Sequence, residues 1–185
     1  MGEKYYSFDE LINMIDGQNQ KLCHKLYFDN KQIFEFAKGS KVKHHYWEGG
    51  YINHLTETMN IAVRLFNNLN SCRELPFSLS DVLLILFLHD LEKPWKYSEN
   101  ADKINEFKLF PDSKSFVKSK IKEYGFNLSM NHLNALEYVH GEGEDYHPSR
   151  LIQSPLGALV HACDNISARI WPDFPKEKFD SWKGL

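Results

Sequence analysis

The stretch SLSDVLLILFLHDLEK, residues 78–93, decides the fold. It opens with Ser78 and, three residues on, Asp81, the spacing of a capping box in which each side chain satisfies the other's backbone N–H. Seven apolar residues, Val82 to Leu88, follow without a break. A run of this length is either a buried strand or a helix buried on all sides. No other segment alternates polar and apolar residues as a partner strand would, so the expectation is a central buried helix. The run ends on His89-Asp90, two ionisable groups whose burial is costly without partners.

Working outward, the neighbouring segments carry helical periods. Ser7 and Glu10 repeat the capping-box spacing ahead of Leu11, Ile12 and Ile15. A short helix is expected over 32–38, closed by Gly39 at C′. After Gly49-Gly50, the residues Ile52, Leu55, Met59, Val63, Phe66 and Leu69 recur at three- and four-residue steps. That is an amphipathic helix of about five turns. Further helices are expected over 113–124, stopped by Gly125, and over 129–139. Ser154 as N-cap and Pro155 at the first helical position announce the last long helix, 156–170. The aromatic tail 171–185 is expected to pack as an extended strap. The fold class is therefore all-α, six or seven helices in one domain over 1–185, with its core in about 33–170.

Composition bounds the function classes. At 42% hydrophobic and 14% aromatic residues, the chain has the material for a packed core. A formal charge of -3 gives no strong overall field for nucleic acid. Cys23, Cys72 and Cys163 form no CxxC pair, and an odd count argues against a disulfide framework. The N-terminal stretch has no apolar signal core, and the longest apolar run is too short to cross a bilayer. These readings point to a reduced, cytoplasmic protein with no membrane association.

The placement of the nine histidines carries the chemistry. His24, His132 and His147 read as ordinary packed or solvated side chains. His89-Asp90, at the end of the apolar run, becomes tolerable if both groups bind a cation, because imidazole and carboxylate suit borderline divalent metals. His54 lies in the long helix, off its apolar stripe. His161 and Asp164 are three apart in the last helix and share a face. His140 ends its helix just before a glycine. Four helices thus offer ligands to the interior of a bundle, which is how bundles build metal sites. His54, His89, Asp90, His140, His161 and Asp164 suffice for two metals if one carboxylate bridges them. Arg169 is either an anion contact or a solvated helix-end residue. Tyr46, Trp47 and Tyr51 are either base-stacking residues or core.

In this order the residues resemble the HD-domain superfamily of metal-dependent phosphohydrolases, an all-α fold. AKGSKVKHHYWEGGYINHLTETM (37–59) is similar, in its HH…GG…H spacing, to YhaM-type bacterial 3′–5′ exoribonucleases, and SPLGALVHACDNISARI (154–170) is similar to their closing helix. The resemblance implies that His54, His89, Asp90 and Asp164 hold a first metal. It implies that Asp90 bridges to a second, held by His140 and His161, and that Lys93 of HDLEK stands near the substrate phosphate. Asp90, Lys93, His44 and His45 are then the catalytic candidates, with Lys93, His44 and His45 for phosphate contact and one of the paired histidines as a proton donor to the leaving group. The chain departs from the pattern at Glu92, where a glycine is usual, at Ser167, where an acidic residue is common, and at Val139, where relatives often have a second histidine. No nucleic-acid-binding domain of the kind those exonucleases carry is read in the sequence. The expected activity is hydrolysis of a phosphate ester of a nucleotide, short oligonucleotide or other small phosphorylated molecule, with one or two divalent ions drawn from Mn, Co, Ni, Zn, Mg and Fe. Two alternatives stay open: a di-iron HD-domain oxygenase, since this ligand set does not separate the metals, and a non-catalytic nucleotide-binding module, whose signature would be a missing ligand.

Overall fold

In the computed structural model, residues 4–173 are described, and the strap expected from 174 onward lies outside them. The elements are α1 (Phe8–Ile12), α2 (Gly17–Asp29), α3 (Lys31–Phe36), α4 (Gly50–Cys72), α5 (Leu79–Leu88), α6 (Lys93–Lys96), α7 (Ala101–Lys108), α8 (Ser113–Tyr124), α9 (Met130–Glu137) and α10 (Pro155–Asn165). A 3₁₀ turn at Gly143–Asp145 precedes α10, and a π-helical turn at Ile166–Ile170 continues it. No strand occurs among the described residues. The protein is all-α.

The quoted stretch forms the middle of the molecule. Ser78 and Asp81 close their capping box, and every residue from Val82 to Leu88 is buried in α5. A helix apolar all round must be covered on all sides, and here α4, α9 and α10 pack around it. Its C-terminal end delivers His89 and Asp90 into the bundle interior. The N-terminal half of α4 is buried on two faces. Leu55 and Met59 join the hydrophobic core, while His54 and Glu57 are equally buried on a polar face. The far end of α4 projects from the bundle, so Leu69 is 46% exposed rather than part of a continuous stripe.

Three expectations need correction. The helix expected over 32–38 ends at Phe36, with extended Ala37 as its C-cap. Gly39 therefore does not close it. Its N–H instead donates to the His45 carbonyl at 2.7 Å. Three helices, α2, the four-residue α6 and α7, went unread. In α2 only Cys23 and Leu26 are buried, among polar neighbours that blur the period. In α7 no residue is buried, and the helix is started by Asn100, whose side chain accepts from the Asp102 and Lys103 N–H groups.

Candidate metal centre

Four side chains meet where α4, the end of α5 and α10 come together. The ligand atoms of His54, His89, Asp90 and Asp164 all lie within 4.8 Å of one another, and all four residues are buried. His54 Nε2 is 3.1 Å from Asp164 Oδ1 and 3.5 Å from Asp90 Oδ2. His89 Nε2 is 3.1 Å from Asp90 Oδ2 and 3.7 Å from Asp164 Oδ1. In spite of this proximity, His54 Nε2 and His89 Nε2 are buried atoms without hydrogen bonds. Orphaned buried polar atoms are costly, and a divalent cation accepts this mixed nitrogen and oxygen set. The residues present fit such an ion.

The fold also sets the tautomers. Nδ1 of His89 lies 2.6 Å from the Leu86 carbonyl, which can only accept, so Nδ1 carries the proton. Ser167 Oγ donates to the Glu57 carboxylate at 2.6 Å. It therefore accepts from Nδ1–H of His54, 3.0 Å away. When each ring is neutral, its lone pair is therefore on Nε2, facing the centre, as a metal-binding imidazole requires. The π-helical turn at Ile166–Ile170 carries Ser167 to this position; such turns recur at functional sites.

Electrostatics follow from the crowding. Burial disfavours a charge on His89, but Asp90 and Asp164 outweigh it and raise its pKa to about 10. For Asp164, burial is outweighed by the facing His54 and His89, so its carboxyl is held well below the usual carboxylate range. Asp90 is likewise held low against its burial, by His89 and by Lys93, whose ammonium is ion-paired with Asp90 Oδ2. Lys93 is thus anchored on Asp90 at the edge of the cluster, its side chain only 12% exposed.

The remaining candidates are distributed around this centre. His140 is exposed, with Nε2 3.6 Å from Asp90 Oδ1 and 3.8 Å from Asp164 Oδ2. His161 stands outside the four-residue cluster. Its Nδ1–H donates to the Val139 carbonyl at 2.6 Å, and Nε2 accepts from the Asn165 amide at 2.8 Å. His140 and His161 both border an adjoining cavity of about 460 Å³, along with Lys43, His44, Asp164 and Arg169. His44 lies beside His54, with ring centroids 4.9 Å apart and the planes tilted by 56°. Burial, reinforced by His54 and Lys93, lowers its pKa to about 4. The ring is therefore held towards its neutral form.

His45 corrects the expectation of a direct phosphate contact, because it is fully buried. Its Nε2 is 3.5 Å from Glu57 Oε2, so it backs the Glu57 carboxylate instead of facing solvent. Its backbone has φ 49°, a left-handed conformation uncommon outside glycine. The close approach explains Gly49-Gly50: a Cβ on Gly50 would lie 1.9 Å from the His45 carbonyl oxygen. Tyr51 is core, packed edge-on against Phe34, and is not available for stacking on a base. The structural readings of His24, His132 and His147 agree with their hydrogen bonds to Asn13, Asp81 and Ser149. Glu57 is the residue that sequence reasoning missed. The available signal was a carboxylate three residues after His54, inside the half of α4 that carries the core.

A model of the HD domain family matches residues 51–169, more than half of the chain. The protein belongs to the HD-domain family. HD domains bind divalent metal ions, and the His/Asp cluster lies within the matched range. Among curated proteins, the chain is 23% identical over 155 residues to a dihydroneopterin 2′,3′-cyclic phosphate phosphodiesterase of Methanocaldococcus jannaschii. The match covers 83% of this chain and 60% of that relative, so the chain spans somewhat less than two thirds of its length. No solved structure matches the chain.

Proposed function

We propose that this HD-domain protein is a metal-dependent phosphohydrolase acting on a small phosphorylated molecule, a nucleotide or short phosphodiester. The observation that carries the reading is the buried His54, His89, Asp90 and Asp164 cluster, with unsatisfied ligand atoms, opening on a cavity edged by Lys43 and Arg169. His54, His89, Asp90 and Asp164 would hold a first divalent ion, and Asp90, His140 and His161 a second. When bound, such an ion supplies an acidified water and a positive charge for the phosphoryl group. In the reaction a water oxygen adds to phosphorus, one P–O ester bond breaks, and the leaving alcohol takes a proton. The protein's own part is positional. Glu57 and Ser167 hold the His54 ring, Leu86 holds the His89 ring, and Lys93 fixes Asp90. Lys43 and Arg169 attract the anion to the cavity.

The relative's printed activity, a cyclic phosphate phosphodiesterase, favours a diester substrate. The closeness to YhaM-type exoribonucleases rests on the motifs at 37–59 and 154–170 alone. The described residues share one continuous core, in keeping with a single domain. No described helix is long and apolar enough to cross a membrane, and three free cysteines, two of them buried, accord with a reducing compartment such as the cytoplasm.

The test is elemental analysis of the purified protein together with hydrolysis of bis(4-nitrophenyl) phosphate, for wild type and Asp90→Ala. The expected result is one to two equivalents of a divalent metal and a diesterase rate, both lost in the variant. Two irons per chain with oxygen consumption and no diesterase rate would replace this reading with the oxygenase.

A further inference from the structure

A second cavity, of about 630 Å³, lies between α8 and α9 and reaches the metal centre at His89 and His140. Val117, Ile121, Leu133, Leu136 and Val139 give it an apolar wall, and its inner end is formed by His89 and His140. Cavities of this size and character hold organic ligands. Lys114 and Lys118 at the rim are both paired with Glu137 and so offer little free charge to a phosphate. This groove is built for the organic part of a substrate whose phosphate lies on the cluster.

One polar side chain breaks the apolar wall. Glu92 lines the same cavity and is only 7% exposed. Among the described residues its carboxyl receives no hydrogen bond from another residue. Lys93 and Lys96 reach it only through their charge. A buried carboxyl whose hydrogen-bond donor is only its own backbone N–H is costly to the fold. Glutamate supplies two acceptor oxygens side by side. The complementary group is a pair of adjacent N–H donors on a flat ring edge, the pattern shown by guanine and by pterins and lacking in adenine.

We infer that the groove between α8 and α9 seats a bicyclic heteroaromatic ring, and that Glu92 selects rings presenting adjacent N–H and NH₂ donors. The inference rests on the phosphohydrolase reading for the chemistry at phosphorus, but the selection itself is a property of binding. A ring in the groove places its attached phosphate beside His89 and His140, which connects the two sites without any change of fold.

The experiment compares 2′,3′-cyclic GMP, 2′,3′-cyclic AMP and dihydroneopterin 2′,3′-cyclic phosphate on the metal-loaded protein. The expected kcat/KM is at least tenfold higher for one or both donor-bearing rings than for the adenine compound, and the difference between the two identifies the source of the ring. In Glu92→Gln, which keeps the size of the side chain, the preference shrinks to about threefold or less. Leu133→Trp, at a half-exposed position where the fold tolerates a larger ring, raises KM at least fivefold by filling the groove. Calorimetric binding of guanosine and adenosine reads the selection without hydrolysis. Equal handling of guanine and adenine compounds by wild type, or an unchanged preference in Glu92→Gln, overturns the inference while leaving the hydrolase intact. Loss of all turnover with guanosine preference retained overturns the hydrolase reading instead.

Discussion

At the scale of single residues, His54, His89 and His161 share one device. Each ring gives its Nδ1–H to a fixed acceptor, respectively the Ser167 hydroxyl, the Leu86 carbonyl and the Val139 carbonyl, which turns Nε2 towards the centre in His54 and His89 and onto the Asn165 amide in His161. Such outer hydrogen bonds typically govern metal affinity by about 10- to 100-fold. Ser167→Ala and Glu57→Gln are therefore each expected to weaken Mn²⁺ binding by at least tenfold in a calorimetric titration of the metal-free protein. An unchanged affinity in both variants would mean that the ring of His54 is held by packing alone. The Gly50 backbone makes a second prediction. A methyl group there meets the His45 carbonyl oxygen, so Gly50→Ala is expected to destabilise the fold by about 1–3 kcal/mol, the usual cost of overpacking. A thermal melt within 1–2 °C of wild type would exclude the clash, given roughly 2–4 °C per kcal/mol for a chain of this size.

At the scale of elements, α6, α7 and α8 are tied by a polar cluster beneath Trp95. The indole N–H donates to Glu106 at 2.9 Å, and the nearly buried Lys120 ammonium pairs with Glu106 and Glu123. The same ammonium lies 5.1 Å from the Trp95 ring centroid, a cation–π contact. Burial raises the Glu106 pKa, but hydrogen bonds from Lys120 and Trp95 outweigh it and hold the group below its usual 4.5. A carboxylate with a depressed folded pKa contributes stability that is complete above its unfolded pKa and is lost as pH falls through the folded one. Wild type should thus lose stability more steeply than Glu106→Gln as pH falls below 4.5, in urea melts from pH 7 to 3. At pH 7 the variant is expected to be about 1 kcal/mol less stable, the scale of a lost charged hydrogen bond at a partly exposed site. Parallel pH profiles for the two proteins would rule this contribution out.

At the scale of the whole molecule, the metal centre is a junction. α4 brings His54, the end of α5 brings His89 and Asp90, and α10 brings Asp164, so an ion held there crosslinks the helices that enclose the core. An ion that binds only the folded state stabilises it by about 2.7 kcal/mol at a hundredfold excess over Kd. That corresponds to a rise in melting temperature of roughly 5–10 °C for a chain of this length. Mn²⁺ should produce this rise, EDTA should reverse it, and Asp164→Ala should show neither response. A rise that persists in the variant would place the ion elsewhere.

Much of this architecture was legible in the chain itself. The uninterrupted run Val82–Leu88 and the capping boxes at Ser7 and Ser78 specify buried and well-started helices from local chemistry alone, because periodicity and caps act within a few residues. His89 and Asp90 stood out for the same reason, since ionisable groups at the end of an apolar run demand partners, and His54, His140, His161 and Asp164 stood out by their places on the neighbouring helices. The helices α2 and α7 were not legible, since α2 buries only Cys23 and Leu26 and α7 buries no residue, which leaves neither a strong apolar period. The site divides in the same way. The identities of His54, His89, Asp90 and Asp164 were available in one dimension. The burial of His45, the service of Glu57 and Ser167 to His54, and the opening of a groove beside Glu92 were decided by tertiary structure, because each depends on segments dozens of residues apart meeting at hydrogen-bond distance.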